Sequence, residues 1–226
     1  MKIRLHLKIF VFIAIFIVTR QIEIYGILML FALFHELGHM LAGIFLGFKP
    51  NSLEIMPLGL SIGFESKVEN YNKKIKKGTL LTLKKIIIAA SGPLTNLLFI
   101  IVFLLFPISF FGISRDIVIY ANILIAIFNL IPIYPLDGGR IAKGILHILF
   151  GRKESYRYSY MISNVTISIL TAISSIVILN LKNIAILLIL AYLWYLVISE
   201  NKRYKTKQKI YEKIKNIEKT DKATVS

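Results

Sequence analysis

The sequence predicts an all-α membrane protein with about six transmembrane helices, a small hairpin between the second and third, and cytoplasmic N- and C-termini. Three observations lead to this fold class: the composition, the lengths of the apolar runs and the placement of the basic residues. Of the 226 residues, 56% are hydrophobic, whereas an ordinary globular domain is about 45 to 50% apolar. This excess indicates one membrane-embedded bundle, since the length leaves no room for a second folded domain beside it.

The apolar runs have roughly the length that crosses the hydrocarbon core, which is about 20 residues for a helix. The first run is short, but Lys8 and Arg20 lie near its ends, from which long basic side chains can snorkel. A cleaved signal peptide is the alternative for this run, because the residues before it are basic. We favour a retained span, because no A-x-A-like cleavage site follows. The predicted spans are Leu7 to Thr19, Ile24 to Phe48, Ile86 to Phe111, Ile117 to Leu136, Met161 to Leu181 and Ile184 to Ser199.

The basic residues predict the orientation of these spans. With both termini in the cytoplasm, all of the 28 Lys and Arg residues except Arg20, Arg115 and Lys182 fall on the cytoplasmic side. Cytoplasmic loops are the ones enriched in Lys and Arg. The formal net charge of +16 therefore reflects topology and argues against a nucleic-acid binder.

Residues 1–200 are expected to form one membrane domain, followed by a basic cytoplasmic tail over residues 201–226. Three isoleucines at helical spacing in this tail predict an amphipathic helix on the inner membrane surface. The segment from Met56 to Glu65 alternates roughly between polar and apolar residues and carries two glycines, which predicts the hairpin. The chain has no cysteine, so disulfides and thiolate metal ligands are excluded.

The second predicted span contains the motif His35-Glu36-Leu37-Gly38-His39. Two His residues one helical turn apart lie on one face and can bind one Zn²⁺, while the Glu beside them can activate water. The motif falls near the middle of the span, where ionisable residues are rare and need a partner or a wet cavity. The alternative, two histidines that only pack in the bundle core, is therefore the weaker interpretation.

A catalytic zinc usually takes three protein ligands and a water, so one further His or carboxylate is expected. Asp137 is the candidate carboxylate, because every other acidic residue except Glu36 lies at a span edge or outside the spans. His6 and His147 are alternatives, which we interpret as interfacial residues. Two prolines and two glycines around Asp137 predict a broken helix. Such backbone is tolerated at membrane depth where it lines a wet cavity; an interfacial turn is the alternative.

Together these motifs resemble the site-2 proteases, the intramembrane zinc metalloproteases of the M50 class. His35, Glu36 and His39 match the H-E-x-x-H helix of that family, and Asp137-Gly138 matches its distant L-D-G motif. Two further elements match in the expected order: Ser91-Gly92-Pro93-Leu94-Thr95-Asn96 resembles a small-Gly-Pro-x-x-Asn element, and Asn129, Pro132 and Pro135 match an N-x-x-P-x-x-P approach to the aspartate.

The resemblance implies a zinc endopeptidase with one Zn²⁺ per chain held by His35, His39 and Asp137, and with Glu36 as the catalytic base. It also implies regulated proteolysis of a membrane-tethered protein in a bacterial cell membrane, with the active site open to the cytoplasm. Within the family the chain is most similar to a group that releases a sporulation pro-sigma factor. That group usually carries a C-terminal CBS domain, for which the tail is too short, and no PDZ domain is expected. Inhibitory membrane proteins and the lipid bilayer are further expected partners.

Four residues are candidates for substrate binding: Asn129, Pro132, Pro135 and Asn96. Asn129 either orients the substrate backbone or the oxyanion, or makes an interhelical hydrogen bond. Asn96 is interpreted as a packing residue at a helix break more than as a chemical group.

Two functions from other classes remain open. A metal-ion transporter would need polar residues along a path on several helices, whereas the predicted spans carry one tight constellation. A membrane scaffold that binds a partner without cleaving it is the third interpretation, against which the intact Glu36 argues.

Overall fold

The computed structural model shows a mostly helical chain with one small sheet. It describes residues 2–5, 10, 13, 17, 20, 22–56, 59–64, 75–106, 108–181 and 184–224. The elements in chain order are β1 (Lys2–Leu5), α1 (Ile22–Phe45), β2 (Pro50–Met56), β3 (Gly59–Phe64), α2 (Ile75–Leu105), α3 (Arg115–Leu130), α4 (Asp137–Leu181) and α5 (Ile184–Thr224).

The chain forms two compact units, Met1–Ile131 and Pro132–Ser226. Within the described residues, three helices are long and apolar enough to cross a membrane: Ile22–Phe45, Thr79–Leu105 and Asp137–Ile176. These helices indicate a membrane protein, as the composition predicted. The first predicted span lies mostly outside the described residues, and the count of six spans stays a prediction.

The core of the first unit lies among its three helices. α1 packs against α2 and α3, and α2 packs against α3. Phe31 of α1 and Val118 of α3 are fully buried in this core. The Phe31 ring meets the Phe99 ring of α2 edge to face, with ring centroids 5.6 Å apart, an arrangement that aromatic pairs favour. The packing of these apolar residues therefore holds α1 in a defined position on α2.

Glycines on α1 allow its close approach to neighbouring elements. A Cβ at Gly38 would lie 3.0 Å from the Ser91 carbonyl oxygen of α2 and would overlap the Thr95 side chain. A Cβ at Gly43 would overlap the Phe64 ring at the end of β3. Small residues at such crossings let two backbones come close, so the histidine-bearing helix lies directly against α2.

A hairpin lies between α1 and α2, as predicted, and its strands β2 and β3 pair antiparallel. It begins earlier than the predicted segment from Met56 to Glu65, which contains β3 but only the last residue of β2. Before it, α1 ends at Phe45, Gly47 follows in the left-handed conformation, and the Phe48 N–H donates to the Gly43 carbonyl. This is the pattern of a glycine-ended helix.

A third strand was not predicted. β1 pairs in parallel with β2, in the sheet order β1-β2-β3. A four-residue strand carries too little periodicity to be recognised from its own sequence. Its pairing depends on residues about 50 positions further along the chain, from Ser52 to Ile55.

The helix break predicted before Asp137 is also present. α3 ends at Leu130, and Ile131 has a φ of −56° and a ψ of 129°, which is outside the helical region that a residue before a proline tends to avoid. Residues 131–136 are not helical, and α4 begins at Asp137. α4 is itself interrupted at Gly151, whose φ of 80° and ψ of 175° lie outside the helical range.

In the second unit, α4 packs against α5. Asn164 and Asn201 exchange side-chain hydrogen bonds of 3.3 and 2.9 Å between these helices. The rings of Tyr160 and Tyr204 stack nearby, with centroids 4.8 Å apart. α5 continues without interruption into the basic tail as far as Thr224; the location of the tail on the membrane surface stays a prediction.

Candidate metal centre

The three residues of the H-E-x-x-H motif lie buried in the first unit. His35, Glu36 and His39 are only 4%, 6% and 3% exposed, on a helix whose other residues are nearly all apolar. Residues four apart on a helix share a face, and this face of α1 is turned toward α2. The motif therefore presents two imidazoles to one neighbouring helix.

Each histidine is oriented through its Nδ1 atom. The His39 Nδ1 lies 2.6 Å from the Ile88 carbonyl oxygen of α2, and a carbonyl oxygen can only accept, so this Nδ1 carries the proton. The His35 Nδ1 lies 2.5 Å from Oδ1 of Asn96, also on α2, and donates to this amide oxygen. In both rings Nε2 therefore carries the lone pair, which is the atom that a metal can bind.

The two Nε2 atoms lie 3.2 Å apart, and the two rings stand nearly perpendicular at 89°. A tetrahedral zinc with Zn–N bonds of about 2.0 to 2.1 Å holds two nitrogen ligands about 3.3 Å apart. Two lone pairs that converge in this way are stabilised by a cation between them. The residues present thus fit a zinc ion.

Gly92 of α2 faces this pair. A Cβ at position 92 would lie 2.6 Å from the His35 Nε2 and still closer to the His39 Nε2. Only glycine leaves room beside both lone pairs. The glycine of the small-Gly-Pro element is therefore required where this element faces the two histidines.

We expect Gly92→Ala to abolish zinc binding, because the added methyl group would displace both imidazoles from their positions. Zinc content of the purified protein, measured by elemental analysis, checks this. Gly26→Ala is the matched control, since it lies on α1 with nothing within 4 Å of an added Cβ and exchanges a helical glycine for a better helix former. Equal zinc in the Gly92→Ala and Gly26→Ala proteins would contradict the proposed position of the metal.

Asp137 lies in the second unit as the first residue of α4, where it is 4% exposed. A carboxylate there interacts favourably with the positive end of the helix dipole, and the Arg140 Nη1 lies 3.8 Å from its Oδ1. A Cβ at Gly139 would overlap the backbone of Ile133 and Tyr134. Glycine at position 139 therefore lets the preceding loop fold tightly onto the first turn that carries Asp137.

Two side chains of the second unit hold this loop. The Tyr134 N–H donates to the Ser163 Oγ at 3.2 Å. The Lys143 ammonium lies 4.0 Å from the ring centroids of both Tyr134 and Tyr156, a favourable cation–π geometry. The loop before Asp137 is thus held by residues of α4 that lie both before and after Gly151.

The other candidate residues occupy different environments. Asn129 is half-buried and donates to the Ile125 carbonyl oxygen at 3.0 Å, one turn back on α3. Pro132 is exposed and Pro135 is half-buried after a cis peptide bond. Asn96 is fully buried and contacts His35, a contact that the sequence analysis did not predict.

The chain matches a protein-family model and a solved structure of related fold. The model of Peptidase family M50 matches residues 114–173, a segment that contains Asn129 and Asp137. Among solved structures, a site-2 protease from Methanocaldococcus jannaschii matches with a TM-score of 0.61 at 23% identity, covering 88% of this chain and 89% of that chain. The fold is therefore that of a site-2 protease.

Two curated proteins are similar in sequence. Stage IV sporulation protein FB of Bacillus subtilis (strain 168) is 24% identical over 165 residues, which are 72% of this chain and 52% of the relative. A zinc metalloprotease of Methanocaldococcus jannaschii is 32% identical over 127 residues, which are 54% of this chain and 33% of the relative. The chain thus spans about half the length of the first relative and a third of the second. The resemblance to site-2 proteases of peptidase family M50 is confirmed.

Proposed function

We propose that the chain is an intramembrane zinc metalloprotease that cuts a membrane-tethered protein. The observation that carries this proposal is the pair of Nε2 atoms 3.2 Å apart on His35 and His39, with the Glu36 carboxylate buried beside them. In both rings Nδ1 donates a hydrogen bond to an acceptor on α2, as metal-binding histidines generally do with the nitrogen that does not bind the metal. The match to Peptidase family M50 supports the same chemistry.

We propose Asp137 as the third protein ligand of one Zn²⁺ per chain. Together with His35 and His39 it offers two imidazole nitrogens and one carboxylate oxygen, a donor set used by catalytic zinc sites that keep a position for water. All three residues are buried.

Glu36 has the role of general base and then general acid in this mechanism. A zinc ion, when bound, supplies Lewis-acid chemistry that polarises a peptide carbonyl and acidifies water. Glu36 takes a proton from the attacking water and delivers it to the leaving amine, a role worth about 10² to 10⁴ in rate. Its burial keeps bulk water away from the carboxylate, which strengthens its electrostatic effect.

Three residues that precede Asp137 in the chain are candidates for substrate binding. Asn129, Pro132 and Pro135 shape the approach of the substrate, and the Asn129 amide orients its backbone. β3 lies at one end of the sheet order β1-β2-β3. An extended substrate could pair with its outer edge, the common way in which sheet edges bind peptides.

The proposed topology, location, partners and substrate follow from the resemblance to site-2 proteases. They comprise six spans, a multi-pass location in a bacterial cell membrane, an active site open to the cytoplasm, inhibitory membrane partners, and a sporulation pro-sigma factor as the substrate. The similarity to stage IV sporulation protein FB supports this substrate class. The test is co-expression of the chain and its Glu36→Gln variant with membrane-tethered candidate substrates.

The proposed topology makes a prediction of its own. The chain has no cysteine, so single cysteines can be introduced without background labelling. We expect cysteines at Asn72, which lies outside the described residues, and at Tyr204 to react from the cytoplasm, and a cysteine at Arg115 to react from outside. The measurement is protection from a membrane-impermeant maleimide in intact cells. Labelling of Tyr204→Cys in intact cells would contradict a cytoplasmic C-terminus.

A further inference from the structure

Two buried amides connect His35 to the third helix of the first unit. Asn96 of α2 and Asn122 of α3 are both fully buried. The Asn96 Nδ2 donates to the Asn122 Oδ1 at 2.8 Å, and the Asn122 Nδ2 donates to the Val118 carbonyl oxygen at 2.8 Å. With the bond between Asn96 and His35, this forms a continuous chain of hydrogen bonds from a backbone carbonyl to a metal ligand.

The direction of this chain is determined at its far end. The Val118 carbonyl can only accept, so the Asn122 amide must turn its NH₂ group toward it and its Oδ1 toward Asn96. Asn96 must then turn its own NH₂ group toward Asn122, which leaves Oδ1 facing His35. His35 can satisfy that oxygen only with a proton on Nδ1.

We propose that Asn122 is a positioning residue for zinc binding: through Asn96 it holds His35 in the tautomer whose Nε2 lone pair faces the metal. The proposal rests on the proposed function. An asparagine amide alone cannot enforce this tautomer, because a 180° turn would present its NH₂ group to the ring and favour a proton on Nε2. Asn122 prevents this turn, because its Oδ1 accepts from the Asn96 NH₂ group.

We call the hydrogen bonds from Asn122 through Asn96 to His35 the relay. His39 shows why a relay is needed at only one of the two histidines. Its Nδ1 meets the Ile88 backbone carbonyl directly, and a carbonyl has no donor end. His39 therefore has a fixed acceptor in a backbone carbonyl, whereas His35 obtains a fixed acceptor only through the two amides of the relay. Outer partners of metal ligands generally contribute about 10- to 100-fold to metal affinity or activity.

The first test is Asn122→Leu in the full-length chain, purified in detergent. We expect zinc affinity to fall about 10-fold, the lower end of the range for outer partners, because Asn96 is then able to turn. Affinity is measured by competition with a chromogenic chelator. Asn164→Leu is the matched control, since Asn164 also makes a side-chain amide pair, with Asn201 on the neighbouring helix; its zinc affinity should equal that of the unmodified chain.

A double substitution separates orientation from packing. In Asn96→Asp the carboxylate has no donor end, so it accepts the His35 Nδ1 proton whichever oxygen faces the ring. We expect Asn122→Leu to have no effect on zinc affinity when it is combined with Asn96→Asp. An equal loss of affinity in both backgrounds would mean that Asn122 contributes only packing, and would overturn the proposal.

The protonated nitrogen of His35 can also be observed directly in the unmodified chain. In the unmodified, metal-free chain with ¹⁵N-labelled histidine, we expect the His35 ring nitrogens to show protonated Nδ1 and unprotonated Nε2, with His35→Ala identifying the signals. A protonated Nε2 would overturn the relay. An Asn122→Leu protein with the zinc affinity of the unmodified chain, alongside a His35→Ala protein that loses zinc, would overturn the role of Asn122 alone. No zinc in the unmodified chain would overturn it together with the proposed function.

Discussion

Replacement of Glu36 by Gln is expected to abolish cleavage while fold and zinc remain. Glu36 is not among the proposed ligands, so a near-isosteric amide leaves the two histidines in place. The amide cannot accept a proton at neutral pH, however, and the attacking water loses its general base, a role worth about 10² to 10⁴ in rate. The measurement is the accumulation of uncut substrate in membranes, with zinc content and expression followed in parallel.

This substitution also distinguishes the enzyme from its alternatives. A metal transporter depends on coordination more than on a proton acceptor beside the metal, and a scaffold should bind its partner equally well with Gln at position 36. Glu154→Gln is the matched control, because Glu154 is only half-buried and pairs with Arg157 at 3.9 Å, so cleavage should be unchanged. A Glu36→Gln protein that cuts as fast as the unmodified chain would refute the metalloprotease mechanism.

Loss of any proposed ligand is expected to deplete the bound zinc. We expect His35→Ala, His39→Ala and Asp137→Ala each to weaken zinc binding by more than the roughly 100-fold that outer partners contribute, because three protein ligands and a water complete the site. Elemental analysis should give about one zinc per unmodified chain and a fraction of that in each variant.

The matched control for the ligand series is His147→Ala. His147 is half-buried on α4 and was an alternative third ligand on sequence grounds, so retention of zinc in its absence supports Asp137. Full zinc occupancy in the Asp137→Ala protein would remove Asp137 from the ligand set. Loss of zinc in His147→Ala instead would reassign the third position to His147.

Much of the fold could be predicted because its signals are local. The apolar run around His35 predicted α1 to within three residues at each end. The alternation after Met56 predicted the second strand of the hairpin, whereas the first strand, Pro50–Met56, precedes that segment. Pro132 and Pro135 predicted the interruption that ends α3 at Leu130 and lets α4 begin at Asp137. Each of these features depends on periodicity or on the backbone limits of a few neighbouring residues.

Other features escaped prediction because they depend on contacts between distant segments. β1 is defined by its pairing with β2, and Gly92 matters because of the two imidazoles that face it. Asn122 carried one signal, a polar residue within an apolar span, and such residues usually have a partner. The sequence could not identify that partner, which is 26 residues away on another helix.

The residue types in the motif, their spacing on one helical face and the interruption before Asp137 follow from the sequence alone, because helical periodicity and proline sterics act over a few residues. The orientation of the two imidazoles depends on the assembled first unit. Whether Nδ1 or Nε2 carries the proton depends on the acceptors that α2 brings to each ring, the Ile88 carbonyl for His39 and, for His35, the Asn96 amide that itself bonds to Asn122 of α3. Those acceptors are 49 and 61 residues away along the chain, and only close helix packing brings them within hydrogen-bond distance.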